Sequence, residues 1–196
     1  MSRRILVVAM GLLALVACGS SPQVHFHDLS VAAGAGREAS PRFDSVQIAA
    51  VHMPPSLDRR QMVTRTGPHA VEISSRDRWS APLGGMARRV LSQDLQSRLP
   101  DGAVVMPDMP TARETAQIVV SILQFGPDAS GAAVLVGSWS VSSGETGAVV
   151  LRRDVSLRTD LPGPGADAAA AAMSDLLGRL AAEMATALAG GGAATG

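Results

Sequence analysis

The chain contains no lysine and no tyrosine, and it has a single cysteine. Without Lys there is no P-loop lysine, no Schiff-base chemistry and no Ser-Lys dyad. One cysteine leaves no internal disulfide and no thiolate metal cluster. Aromatic residues make up only 3% of the chain, so a core must come from Val, Leu, Ala, Ile and Met. Charge is equally sparse: charged residues are 17% and the formal net charge is +0. Nucleic acid is therefore a poor partner, because phosphate contacts need a basic excess. What the chain has is apolar residue, 46% of 196 positions, enough for one domain with appendages and too much for a disordered polymer.

Residues 1–17 form a lipoprotein signal peptide. Ser2-Arg3-Arg4 is a short positive region, followed by 13 uncharged, mostly apolar residues from Ile5 to Ala17. A membrane-spanning helix needs about 20 such residues, so this run is too short to span. Leu15-Val16-Ala17-Cys18 matches the bacterial lipobox. An ordinary signal peptide with a chance cysteine is the alternative, but the chain's one Cys stands where the motif requires it. Resemblance to bacterial lipoproteins implies a diacylglycerol thioether on Cys18, cleavage before it, and acylation of the new amine with a fatty acid such as palmitate. Several acyl chains together make dissociation from a bilayer negligible. Loss of Arg3 and Arg4 leaves 15 Arg against 17 acidic residues, a net of −2. Gly19 follows the cysteine in place of Asp, which in Gram-negative sorting implies the outer membrane, with the domain facing the periplasm.

Residues 18–44 are expected to be a lipidated N-terminus and tether, rich in Gly, Ser, Ala and Pro. Fully stretched it would reach about 90 Å, and as a flexible coil about 30 Å. Within it Val24 to Leu29 alternates and predicts a short strand at the domain edge. The domain covers residues 45–189. Val46 to Val51 is a buried strand stopped by Pro54-Pro55, and Val71-Glu72-Ile73 is a weaker one. Leu83, Met86, Ala87, Val90, Leu91, Leu95 and Leu99 recur at helical spacing, with Ser80 as expected cap and Pro82 in the first turn. Ala103 to Met106 predicts a short strand. Three long strands follow, Ala116 to Phe125, Ala132 to Val141 and Ala148 to Leu157, joined by turn-forming segments. The first looks buried on both faces; the last alternates, with Arg153 the exception on its apolar side. A C-terminal helix capped by Asp167 carries the stripe Met173, Leu176, Leu177, Leu180, Met184 and Leu188, and residues 190–196 are expected to be a disordered tail. The fold class is α/β, or α+β: a mixed sheet with a C-terminal antiparallel meander and two principal helices packed on it.

No constellation for catalysis emerges, and neither a cofactor nor a metal is expected. His25 and His27 would share a strand face, but no third ligand has a recognisable spacing. There is no Gly-x-Ser-x-Gly elbow, and Gly163-Pro164-Gly165 is a linker. The unusual segments are Met53 to Arg65, where two prolines precede charge mixed densely with Leu57, Met62 and Val63, and Arg78-Trp79-Ser80-Ala81-Pro82-Leu83. Arg offers five donors in a planar fork and stacks on aromatic faces. These segments either pin a loop to the helix N-terminus, with Asp58 paired to an Arg, or make a protein–protein contact, and the two roles are compatible.

Pro-x-x-Leu-Asp-Arg-x-Gln-x-Val-x-Arg (Pro54 to Arg65), followed by Arg78-Trp79 and Pro82-Leu83, resembles the PqiC/YmbA-type lipoproteins, the ABC-type transport auxiliary lipoprotein component family. The lipobox, the first helix, the strand bearing Gly137-Ser138-Trp139-Ser140-Val141 and the final helix occur in that family's order. Ser56, Arg60 and Ala81 depart from its usual residues. The resemblance implies a non-enzymatic lipoprotein subunit of an MCE/ABC-type intermembrane phospholipid transport system, supporting envelope integrity. It further implies an MCE-domain protein and ABC or permease components as partners, and self-assembly into a ring. Leu57, Asp58, Arg59, Gln61, Arg65, Arg78 and Trp79 are then the partner or subunit interface candidates. A lipoprotein regulator of cell-wall synthesis, or a secretion-pore component, on a similar scaffold is the alternative; an envelope hydrolase is the third. Intact-mass analysis of the mature protein is expected to show cleavage before Cys18 and added acyl mass, and Cys18→Ser to leave an unprocessed, unacylated precursor.

Overall fold

A computed structural model describes residues 23–32 and 41–190; the signal peptide, Cys18 and residues 191–196 lie outside the described residues. The described residues contain eight strands and two helices. In chain order these are β1 (His25–His27), β2 (Val46–His52), β3 (Gln61–Gly67), β4 (Ala70–Trp79), α1 (Leu83–Gln96), β5 (Val104–Val105), β6 (Ala116–Pro127), β7 (Ala132–Ser142), β8 (Val149–Asp160) and α2 (Ala166–Ala189).

The main sheet has five strands in the order β5-β2-β6-β7-β8, parallel across β5, β2 and β6 and antiparallel from β6 to β8. This is the mixed sheet with a C-terminal meander that the sequence pattern predicts. Alternation decides which face is covered. Ala116, Ile118, Val120 and Ile122 on β6, and Ala133, Leu135, Trp139 and Val141 on β7, are buried. Their neighbours Val119, Ser121, Val134 and Val136 are half-buried, and Leu123 is 65% exposed. The expectation that β6 is buried on both faces is therefore corrected. Its apolar run is continuous in sequence, yet both helices pack on one face, and alternation along β6 places Leu123 with Val119 and Ser121 on the other.

α1 and α2 pack against each other as well as against the sheet. The whole predicted stripe of α2, from Met173 to Leu188, is buried. Neither expected side-chain cap forms. α1 has Pro82 at its N-cap with no side-chain cap hydrogen bond, and Ser80 instead directs its hydroxyl at Met86 Sδ, 3.7 Å away. α2 starts from Gly165, whose φ of 90° suits glycine. Asp167 lies inside its first turn.

A second sheet of three strands, β1-β4-β3, sits beside the end of β6. β3 and β4 form an antiparallel hairpin, and β1 joins β4 in parallel. Sequence reading treated Met53 to Arg65 as a loop and saw only Val71 to Ile73 of β4. Both strands are longer because this sheet is largely solvated: along β3 only Met62 is buried, and along β4 only Trp79. Strands that bury one residue each leave no period-2 signal. The three-stranded sheet is tied to the main one at the Asp128 turn. There a parallel bridge pairs Arg65 with Asp128, and Arg158 Nη1 donates to Asp128 Oδ2 at 2.8 Å. The Ser130 hydroxyl, then Arg158 and the backbone N–H groups of Ser130 and Ala132, outweigh partial burial and hold the Asp128 carboxyl at about 2. Its contribution to stability is complete above the ordinary carboxylate range and is lost only as pH falls through that low value.

Trp79, 2% exposed, closes the core where the three-stranded sheet meets α1. Trp79→Ala is expected to lower stability by about 3–5 kcal/mol, measured as the shift in denaturation midpoint; an unchanged midpoint would contradict its role as a core anchor.

Candidate partner-contact site

The segment from Pro54 to Arg65 begins with a tight turn. Pro54 accepts hydrogen bonds from the backbone N–H of Leu57 (2.8 Å) and of Asp58 (3.0 Å). The turn delivers Asp58 to the N-terminus of α1, where its Oδ1 accepts the N–H of Gly84 at 2.9 Å. The first N–H groups of a helix have no partner within it, and a carboxylate there satisfies a donor and complements the dipole. Asp58 thus performs the capping that sequence reading gave to Ser80, from a residue 26 positions upstream. Among the described residues its partner is this backbone N–H and not an arginine.

The remaining candidates divide by position. Trp79 is buried, and its backbone N–H donates to Arg60 O at 2.6 Å. Arg60 Nη2 in turn donates to Ser80 O at 2.5 Å, clamping β3's entry to β4's exit. Arg59 and Gln61 are half-buried and linked, Arg59 Nε donating to Gln61 Oε1 at 3.3 Å. Arg78 is half-buried in the middle strand of its sheet. Leu57 and Arg65 reach the surface. They flank a shallow cleft floored by Val63, Val71, Phe125 and Val134. Val71 is 53% exposed there. Arg65 is exposed, and among the described residues its Nη1 reaches only Pro68 O, at 3.5 Å across its own hairpin. The structure therefore brings Leu57, Val63 and Arg65 together at one rim. Asp58 and Trp79 lie behind it as the groups that hold the rim in place. Chemically the rim offers an apolar floor beside a guanidinium that can grip a carboxylate or carbonyl of a partner chain.

The histidines of the metal question are elsewhere. His25 is exposed, whereas His27 is held between two carboxylates, Nδ1 lying 2.8 Å from Asp167 Oδ1 and Nε2 3.2 Å from Asp77 Oδ1. Asp167, the expected cap of α2, is thereby occupied with β1. The Ser74 hydroxyl, and then His27, hold Asp77 below its ordinary carboxylate value against partial desolvation. Among the described residues no group of three or more His, Cys, Asp or Glu is placed to hold a metal ion. No helix among them is long and apolar enough to cross a membrane.

Sequence reading missed one further residue. Asp94, a charged residue on α1, is 0% exposed. Its spacing, four after Val90 and three after Leu91, puts it on the buried side, and that was the available signal.

Comparison with known proteins fits this architecture. A crystal structure of an uncharacterized protein superimposes with TM-score 0.65 at 20% identity, covering 86% of this chain and 97% of the other. Protein XCC0632 from Xanthomonas campestris superimposes with TM-score 0.67 at 14% identity, covering 82% and 92%. At such identities these likenesses establish the fold alone. No curated protein matches the sequence. Asp58→Ala is expected to cost about 1 kcal/mol through loss of the α1 cap, with Asp58→Asn recovering most of it, read from urea denaturation midpoints. From residue 27 in β1 to residue 185 in α2 the sequence matches one family, and the chain belongs to it: the ABC-type transport auxiliary lipoprotein component family.

Proposed function

We propose that this protein is a non-enzymatic, lipid-anchored subunit of an MCE/ABC-type intermembrane phospholipid transport system, held to the outer membrane through Cys18 and facing the periplasm. The observation that carries the reading is the family match over residues 27–185, downstream of a lipobox at Leu15 to Cys18. The domain acts by binding: the rim of Leu57, Val63 and Arg65 contacts an MCE-domain protein or a neighbouring copy in a ring. Arg59, Gln61 and Arg78 support the rim's polar edge, and Asp58 and Trp79 fix its backbone. The apolar floor supplies contact area, and the Arg65 guanidinium supplies direction, as in interfaces where Arg is enriched.

Affinity purification of a tagged, native-level protein from detergent-solubilised envelopes tests this. Recovery of MCE-domain or ABC-transport components is expected. Recovery of a penicillin-binding protein or a secretion-pore subunit in their place would contradict the reading. Arg65→Ala is expected to reduce partner recovery at least tenfold while leaving the thermal midpoint within about 1 °C, since surface substitutions change stability little.

A further inference from the structure

The segment after β1 does not leave the domain. Asp28 Oδ1 accepts from Arg89 Nη2 of α1 at 3.0 Å, and Leu29 is 3% exposed against the core. Ser30 N donates to Ser174 Oγ of α2 at 3.1 Å, and Ala32 N donates to Asp94 Oδ1 of α1 at 2.8 Å. Residues 28–32 therefore cross the seam between the two helices, contacting α1, then α2, then α1. Gly178 on α2 is their seat: a Cβ built there would lie 2.3 Å from Ala32 Cβ. A helix position kept as glycine under a passing chain marks a close approach made by shape.

We propose that residues 24–32 are a detachable, proton-linked strap, whose docking over the Asp94 carboxylate sets the length of chain between the membrane anchor and the domain. Docked, the strap leaves six residues from Cys18 to Val24, a reach of about 20 Å. Released up to Arg42, the same anchor would allow about 80 Å. That consequence for reach rests on the lipid anchor proposed above; the docking chemistry does not.

The linkage follows from what surrounds Asp94. The strap contributes the Ala32 N–H to Oδ1, while Oδ2 has no hydrogen-bond partner among the described residues. Arg98, just beyond α1, is the nearby charge, and α2 presents Gly178. Burial outweighs the Ala32 hydrogen bond and the Arg98 charge and pushes the Asp94 carboxyl up to about 6. With the strap released, the carboxyl meets water and returns toward about 3.9. The docked state then binds the extra proton, so docking tightens as pH falls from 8 through 6 and loosens above it. The strap's other charged contacts are Asp28 with Arg89 and His27 with Asp77 and Asp167, with His25 nearby. Asp94→Asn leaves all of these in place.

Amide hydrogen exchange in the full mature chain tests the proposal, reading Ser30 and Ala32 against the core amide of Val120. Exchange rates are corrected for their intrinsic pH dependence. The strap amides are expected to open without global unfolding, and their protection to fall about tenfold from pH 5 to pH 8. Asp94→Asn, whose amide oxygen still accepts from Ala32, is expected to keep the protection and to weaken this pH dependence. Gly178→Ala is expected to expose Ser30 and Ala32 at both pH values while Val120 stays protected. Strap amides that exchange only as slowly as Val120, or a pH dependence that persists unchanged in Asp94→Asn, would overturn it. The fatty-acyl mass of Cys18 is a separate readout, so a failed anchor and a failed strap give different results.

Discussion

One constraint governs this molecule: a five-stranded sheet covered on a single face by two helices must bury its core almost without aromatic residues. Leu, Val, Ile, Ala and Met from α1, α2, β2, β6 and β7 make nearly all of that layer, with Trp79 and Trp139 as its large pieces. Each fully buried aliphatic side chain contributes about 1.5–3 kcal/mol. Concentrating them on one face gives a firm core and leaves little apolar material for anything outside it.

Everything attached to this core is consequently held by a few polar contacts at its margins. Asp58 ties the Pro54 turn to the N-terminus of α1. Asp128 ties the β6–β7 turn to β8 and stands beside Arg65. His27 joins β1 to Asp77 of β4 and Asp167 of α2. Asp94 receives the N-terminal strap. Each joint places a carboxylate between elements distant in sequence. A domain built in this way has a firm body with polar attachments, a form that suits the binding role proposed above. Stiffness comes from the helix–sheet layer, and the Pro54 turn shapes the rim to which the proposed contact is assigned.

The same division explains what could be read from sequence. The helices and the meander were legible because each buries a regular stripe: Leu83 to Leu95 on α1, Met173 to Leu188 on α2, and alternate residues of β6 to β8. The β3–β4 hairpin was not, because most of its residues are solvated and Ser74, Ser75 and Asp77 are poor strand formers. Capping failed for a different reason. Ser80 and Asp167 satisfy local rules, but a non-local carboxylate occupies the start of α1 and a non-local histidine occupies Asp167. Segment 24–32 lies in the stretch expected to be tether, and its docking depends on Gly178 and Asp94, which no local pattern connects to it. Of the candidate site, the sequence singled out the stretches Pro54 to Arg65 and Arg78-Trp79 by their mixture of charge and apolar residues. Which of its residues face outward depended on the Pro54 turn and the buried Trp79.

The central claim is that the rim beside Arg65 is where this domain grips its partners. Site-specific photo-crosslinking in living cells tests it most directly, with the crosslinking residue at Val71, 53% exposed in the cleft beside Arg65, and, as a control, at exposed Gln96 at the end of α1. Position 71 is expected to capture an MCE-domain component or a second copy of this chain, and position 96 to capture neither. Strong capture from position 96 with none from position 71 would contradict it.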